Sequence, residues 1–228
     1  MTRAQLAWDG DVAVVTMQDG ENRLHPEMVE QLGAALDEVE GKQGPAAVVL
    51  TGQGKFFSNG LDLDHMAAEP DRAVEVLDSV HRLLARLLAF PGAVVAGVNG
   101  HAFAAGAMLV MTCDASVMRQ DRGYFCLPEV DLGIPFTPGM NALLASRFRP
   151  DTAHTAMVLG HRFSGEQALA GGIVSAVAAD DLVVAEAVER AGALAGKPRL
   201  VLGILKSNLY GDALRLLRTP TTTGWGQL

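Results

Sequence analysis

Short unbroken apolar runs alternate along this chain with longer stretches in which apolar side chains return every third or fourth residue. The first pattern is that of strands covered on both faces, the second that of helices with one buried stripe. Leu6 to Met17 alternates around Asp9-Gly10-Asp11 and predicts a β-hairpin. Pro26 opens a helix whose inward positions are Met28, Val29, Leu32, Leu36 and Val39, ended by Gly41 to Pro45. Ala46 to Thr51 predicts a short buried strand, and Gly52 to Met66 a loop dense in Gly, Ser and Asn. A helix follows across Asp71 to Phe90, with Leu77, Val80, Leu84 and Leu88 inward, and Pro91-Gly92 stops it.

Val94 to Met111 joins a β-branched run, a turn signal at Asn99-Gly100, the small residues Ala102, Ala104, Ala105, Gly106 and Ala107, and an apolar helical run. Further strands are predicted at Asp114 to Met118, Tyr124 to Leu127 and Ile173 to Ala178. Pro128 breaks the second of these just before Glu129, and Gly133 to Gly139 reads as loop. Helices are expected at Met140 to Phe148, Thr152 to Leu159, Asp180 to Ala195 and Pro198 to Leu217, before a Pro/Thr/Gly tail. Another starts at the capping-box pattern Ser164-Gly165-Glu166-Gln167 and ends at Gly171-Gly172. Strand–helix alternation over most of the length makes the fold class α/β, with parallel pairing and right-handed crossovers, in one domain with a helical C-terminal region.

Composition narrows the function. With 228 residues, 49% hydrophobic and 19% charged, the chain is globular and long enough for a sizeable core. Its net charge of −8 argues against binding nucleic acid or an anionic membrane surface. Asn99 and His101 inside the most apolar stretch argue against a membrane span. Cys113 and Cys126 are too few for a disulfide scaffold and lack C-x-x-C spacing, which suits a reducing compartment. With no signal-peptide pattern at the start and no peroxisomal address in Gly226-Gln227-Leu228, a cytoplasmic location is expected. There is no dinucleotide fingerprint, P-loop or G-x-S-x-G, and the six histidines show no metal-ligand spacing.

Three stretches carry candidate chemistry. A strand entering a helix through side chains as small as those of 102–107 leaves backbone N–H groups uncovered, which suits an anion or oxyanion. A close helix–sheet contact would need the same small residues. Phe57-Ser58-Asn59-Gly60-Leu61-Asp62 is a tight loop, readable also as a turn with Asp62 as a helix cap. Glu129 lies among Pro128, Val130 and Leu132, surroundings that should raise its pKa, although a solvated or ion-paired carboxylate fits too.

Taken together, F-S-N-G-L-D-L, V-N-G-H-A-F-A-A-G, C-D-A-S-V-M, P-E-V-D-L-G-I-P and S-G-E-Q-A-L-A-G-G-I-V resemble, in order, motifs of the enoyl-CoA hydratase/isomerase (crotonase) family. The resemblance implies a spiral of β-β-α turns over residues 1–195, with 196–228 a C-terminal helical segment and tail of the same domain serving assembly. It implies an acyl-CoA thioester as substrate, coenzyme A being part of that substrate and no separate cofactor being required. A homotrimer or hexamer is the usual assembly. The backbone N–H groups of Leu61 and Ala105 would form the oxyanion hole, and Glu129 would be the catalytic carboxylate. Arg23, Leu24, Ser58, Asn59, Gly60, Asp62, Phe103 and Met108 would bind substrate.

Hydratases of the family use two glutamates, and Met108 stands where the first would be. A lone carboxylate suffices to take a proton from C2 and return it at C4, so the resemblance points most closely to Δ3,Δ2-enoyl-CoA isomerases. Thioester hydrolysis, decarboxylation or a non-catalytic acyl-CoA-binding role are the alternatives. Asp131, expected two residues along an extended segment from Glu129, is a possible second acid, and His101 a packing or hydrogen-bonding neighbour. Arg23, Lys55, Lys206 and Arg215 are candidates for the CoA phosphates.

Overall fold

The computed structural model describes residues 2–222. Its nine strands form two sheets among the described residues. The hairpin of β1 (Ala4–Asp9) and β2 (Val12–Met17) leads through α1 (Pro26–Gly41) to β3 (Ala47–Gly52) and β4 (Phe56–Ser58). After α2 (Leu63–Ala68) and α3 (Ala73–Leu88) come β5 (Ala93–Val98), β6 (His101–Phe103) and α4 (Ala105–Thr112). Next are β7 (Ala115–Arg119), β8 (Phe125–Cys126) and the one-turn α5 (Glu129–Leu132). Helices α6 (Pro138–Arg147), α7 (Pro150–Ala153) and α8 (Gly165–Ala170) precede β9 (Ala176–Ala178). The chain continues with α9 (Val183–Ala195), α10 (Arg199–Leu209) and α11 (Gly211–Leu217).

The large sheet runs β1-β2-β3-β5-β7-β9 and the small one β4-β6-β8. Only β1 and β2 pair antiparallel; every other ladder is parallel. In each pair β3–β4, β5–β6 and β7–β8 the first strand joins the large sheet and the second the small one, and a helix follows. This repetition is the spiral of β-β-α turns that the sequence resemblance implies.

The unbroken apolar strands have a physical reason. Every residue of β3 and β5 is buried, because alternate side chains enter different cores. Val48, Leu50, Val94 and Ala96 join the main core with α1 and α3. Val49, Ala93 and Val95 meet Val183, Ala187 and Ala191 of α9 on the other face.

The structure corrects several expectations. The loop at Gly52 to Met66 contains β4 and α2, the latter capped by the Asp62 side chain accepting from the His65 N–H at 3.2 Å. β4 is too short to show a period and exists through its pairing with β6. Only Ala176–Ala178 of the last expected strand is extended, since the Ile173 and Val174 N–H groups turn back to the Ala168 carbonyl. Thr152 to Leu159 is split between α7 and a π-helical turn, His154–Val158. Pro198 to Leu217 is two helices broken at Tyr210. The end of the tail, 223–228, lies outside the described residues.

Among the described residues no helix is long and apolar enough to cross a membrane.

Candidate active site

The first loop is built by a buried turn before α1. Asn22, fully buried with φ +54°, donates from Nδ2 to the Phe56 carbonyl at 2.8 Å. The Asn22 carbonyl accepts from Ser58 Oγ at 2.7 Å, and the Leu24 N–H donates to the Gly60 carbonyl at 2.7 Å. These bonds fix the backbone from β4 into α2 and leave the Leu61 N–H without an acceptor among the described residues.

The second loop is the junction of β6 and α4. Ala104 has φ +50° and ψ −124°, a conformation that favours glycine and is strained for alanine. Its N–H is held by the Cys126 carbonyl at 3.0 Å, which turns the next amide, that of Ala105, to the free N-terminal end of α4. The two loops touch. Gly60 has φ +86°, and a Cβ there would stand 2.9 Å from the Ala104 Cβ and 3.1 Å from the Ala105 nitrogen. A Cβ at Gly106 would run into the Ser58 carbonyl. The small residues therefore serve both readings given above: a close contact, and two unpaired amides side by side.

Leu61 and Ala105 line a cavity of about 390 Å³. Arg23, Asn59, Phe103, Met108 and Glu129 are also on its wall. Leu24, Ser58, Gly60 and Asp62 lie behind it: Leu24 and Ser58 are fully buried, and Asp62 caps α2. Arg23 is already occupied, with Glu21 at 2.8 Å, Asp64 at 2.5 Å and Asp62 at 3.6 Å.

Glu129 is 8% exposed, and its Oε2 finds no hydrogen-bond partner among the described residues. Burial pushes its carboxyl up to about 7. It opens α5, held between Pro128 and Gly133, the latter at φ +67°. Because that segment is helical rather than extended, Asp131 points away from Glu129 and is not on the cavity wall, which corrects the expectation that they share a face. Met108, 1% exposed, brings no proton-transfer group. Cys126, also on the wall, is pushed up to about 11 by burial and stays a thiol at neutral pH.

The other candidates sit elsewhere. Lys206 is buried, donating from Nζ to Gly92 O at 2.8 Å, Phe90 O at 3.2 Å and Asp114 Oδ2 at 2.6 Å, so it is a structural cation. Arg215 pairs with Asp212, and Lys55 lies 5.3 Å over the Phe56 ring; neither lines the cavity. His101 packs against Phe103 at 5.0 Å between ring centroids, and burial lowers its pKa. Sequence reading missed Asn22, Cys126, Arg162 and the wall formed by Leu132, Ile134, Pro135 and Met140. The last four sit on and between α5 and α6, and Asn22, Cys126 and Arg162 are brought in by the turn before α1, β8 and the segment bridged to it, none of which leaves a local signal in the sequence.

Comparison with known proteins finds relatives that cover most of the chain. The profile of the family described as enoyl-CoA hydratase/isomerase matches residues 8–222. Enoyl-CoA delta isomerase 3 of Arabidopsis thaliana is 32% identical over 219 residues, covering 91% of this chain and 92% of that protein. A probable enoyl-CoA hydratase of Bacillus subtilis is 32% identical over 205 residues, covering 86% and 76%. The human mitochondrial delta3-delta2-enoyl-CoA isomerase structure superposes with a TM-score of 0.88 at 26% identity, covering 94% of this chain and 86% of that one.

Proposed function

The chain belongs to the enoyl-CoA hydratase/isomerase family, and within it we propose that it moves the double bond of a 3-enoyl-CoA to the trans-2 position. In this reading the thioester oxygen lies against the Leu61 and Ala105 amides. The Glu129 carboxylate takes a proton from C2; the electron pair of that C–H bond becomes the C1=C2 bond of a dienolate, C3=C4 stays in place, and the carbonyl pair moves onto the thioester oxygen, so that C2=C3 forms only when C4 is protonated. Glu129, now protonated, returns the proton at C4 as charge flows back from the oxygen. One proton leaves carbon, one returns, and no water is consumed.

The two preset amides stabilise the developing charge, each donor being worth about 3–4 kcal/mol in such sites. A carboxyl titrating near 7 serves as base and acid in turn without a large penalty in either direction. The observation that carries the proposal is that, among the described residues, Glu129 is the one buried carboxyl on the cavity wall, with Met108 rather than a second buried carboxyl on that wall. Hydration needs one group to deprotonate water and another to protonate carbon; the wall's other carboxylate, Asp64, is exposed and paired with Arg23 at 2.5 Å, which leaves Glu129 as its one buried carboxyl.

The test is a pair of assays on the purified protein. Conversion of 3-hexenoyl-CoA to the conjugated 2-hexenoyl-CoA is expected, and addition of water to crotonyl-CoA is not. Hydration faster than isomerisation would overturn the proposal. We propose in addition that the protein assembles as a homotrimer or hexamer through α10, whose outward Leu200, Leu205 and Leu209 are 76%, 60% and 72% exposed.

A further inference from the structure

Two guanidinium groups line the cavity, and the backbone puts them at opposite edges of the small sheet. Leu24 bridges to Leu61, so Arg23 lies on the β4 side. Phe163 bridges to Phe125, exchanging N–H···O bonds of 2.8 and 2.9 Å, so Arg162 lies beyond β8. Their electrostatic states differ. Arg23 is neutralised by three carboxylates, whereas Arg162 has no carboxylate within ion-pair distance among the described residues. The Arg162 guanidinium instead lies 5.9 Å over the ring of Phe103, itself a wall residue.

We infer that Arg162 selects acyl-CoA thioesters whose acyl chain ends in a carboxylate; this rests on the acyl-CoA reading above. Arg162 is exposed at the rim of the cavity, where a methyl-ended chain offers it no partner and a carboxylate pairs with it through two parallel N–H···O bonds. The rest of that wall is apolar, with Leu132, Ile134, Pro135 and Met140, and suits the methylenes between thioester and carboxylate. Arg23, beside the first loop, and Arg162, beyond β8, lie at opposite edges of the cavity, so a carboxylate that reaches Arg162 extends away from Arg23.

Binding of saturated esters reads this cation without any chemistry. Hexanoyl-CoA is compared with adipoyl-CoA, and octanoyl-CoA with suberoyl-CoA, by calorimetric titration of the wild type, Arg162→Gln and Arg162→Lys. The dicarboxylic ester of at least one pair is expected to bind tenfold or more tightly than its partner. Arg162→Gln should abolish that preference and Arg162→Lys keep part of it. Equal affinities within both pairs in the wild type overturn the inference, as does a preference that survives Arg162→Gln. Equal weakening of all four esters by Arg162→Gln assigns the cation to a phosphate of coenzyme A and overturns it too. Failure of the wild type to bind any ester removes the acyl-CoA reading as well, whereas normal binding without double-bond movement removes only the isomerase reading.

Discussion

Gly60 faces Ala105 across the two loops so closely that a methyl on Gly60 would stand 3.1 Å from the Ala105 nitrogen. The donors proposed for the thioester oxygen are therefore not independent: the spacing of one loop sets that of the other. Gly60→Ala has to move that contact and also adopt a φ of +86°, which an L-residue resists. The expected outcome is a fall in kcat of roughly 10²- to 10³-fold, the size seen when one oxyanion donor is lost. Affinity for a saturated acyl-CoA should fall much less. Steady-state kinetics beside calorimetry decides this, and a variant with wild-type kcat would show that the loops do not share their geometry.

The buried carboxyl of Glu129 gives a pH signature. A base titrating near 7 predicts that kcat/KM rises with pH and levels above about 7. The linkage to stability has the opposite slope. Between its unfolded value near 4.3 and about 7 the folded state holds a proton that the unfolded state has lost, so stability falls with rising pH across that window. The full cost, about 4 kcal/mol from the shift, is present above pH 7 and absent below pH 4. Glu129→Gln should accordingly unfold at higher denaturant than the wild type at pH 8 and at the same denaturant at pH 4. Equal midpoints at both pH values would mean that the carboxyl titrates normally.

Met108→Glu tests why one acid is present and not two. Its side chain is 1% exposed, so a carboxylate there costs stability, on the order of a few kcal/mol. It also places a second buried carboxyl on the wall, where Asp64 is exposed and paired with Arg23. Hydration of crotonyl-CoA should become measurable where the wild type shows none, and isomerisation should slow. A folded variant that gains no hydration would argue that more than this one position separates the two chemistries.

Lys206 separates structure from ligand binding. Lys206→Met leaves Asp114 and the carbonyls of Phe90 and Gly92 without their cation, a loss of about 2–3 kcal/mol for a buried ammonium whose carboxylate partner is partly exposed. Denaturant unfolding should show that loss, with acyl-CoA affinity in the folded protein unchanged. A variant of normal stability but weakened affinity would return Lys206 to the coenzyme.

Most of the strand and helix order was legible because β3 and β5 are covered on both faces and α1 and α3 carry regular apolar stripes. β4 was not, since three residues paired only to β6 leave no period to read. The site divided in the same way. Glu129, Leu61 and Ala105 lie within contiguous motifs, so their neighbours announce them. Asn22, which clamps the first loop from a distant turn, and Arg162, brought to the cavity by the bridge of Phe163 to Phe125, are placed by tertiary contacts alone. Lys206 was misread for a related reason: a lysine on an amphipathic helix reads as solvated, and its burial follows from the carbonyls and carboxylate presented by the segment before β5 and by Asp114.

The central claim is that one carboxylate moves the proton. Glu129→Gln keeps the shape and neutral polarity of the protonated group but cannot act as a base. Its rate of converting 3-hexenoyl-CoA to 2-hexenoyl-CoA, measured beside its affinity for hexanoyl-CoA, is the direct test. A rate lowered by about 10²- to 10⁴-fold with affinity preserved is the predicted result; conversion close to that of the wild type would contradict it.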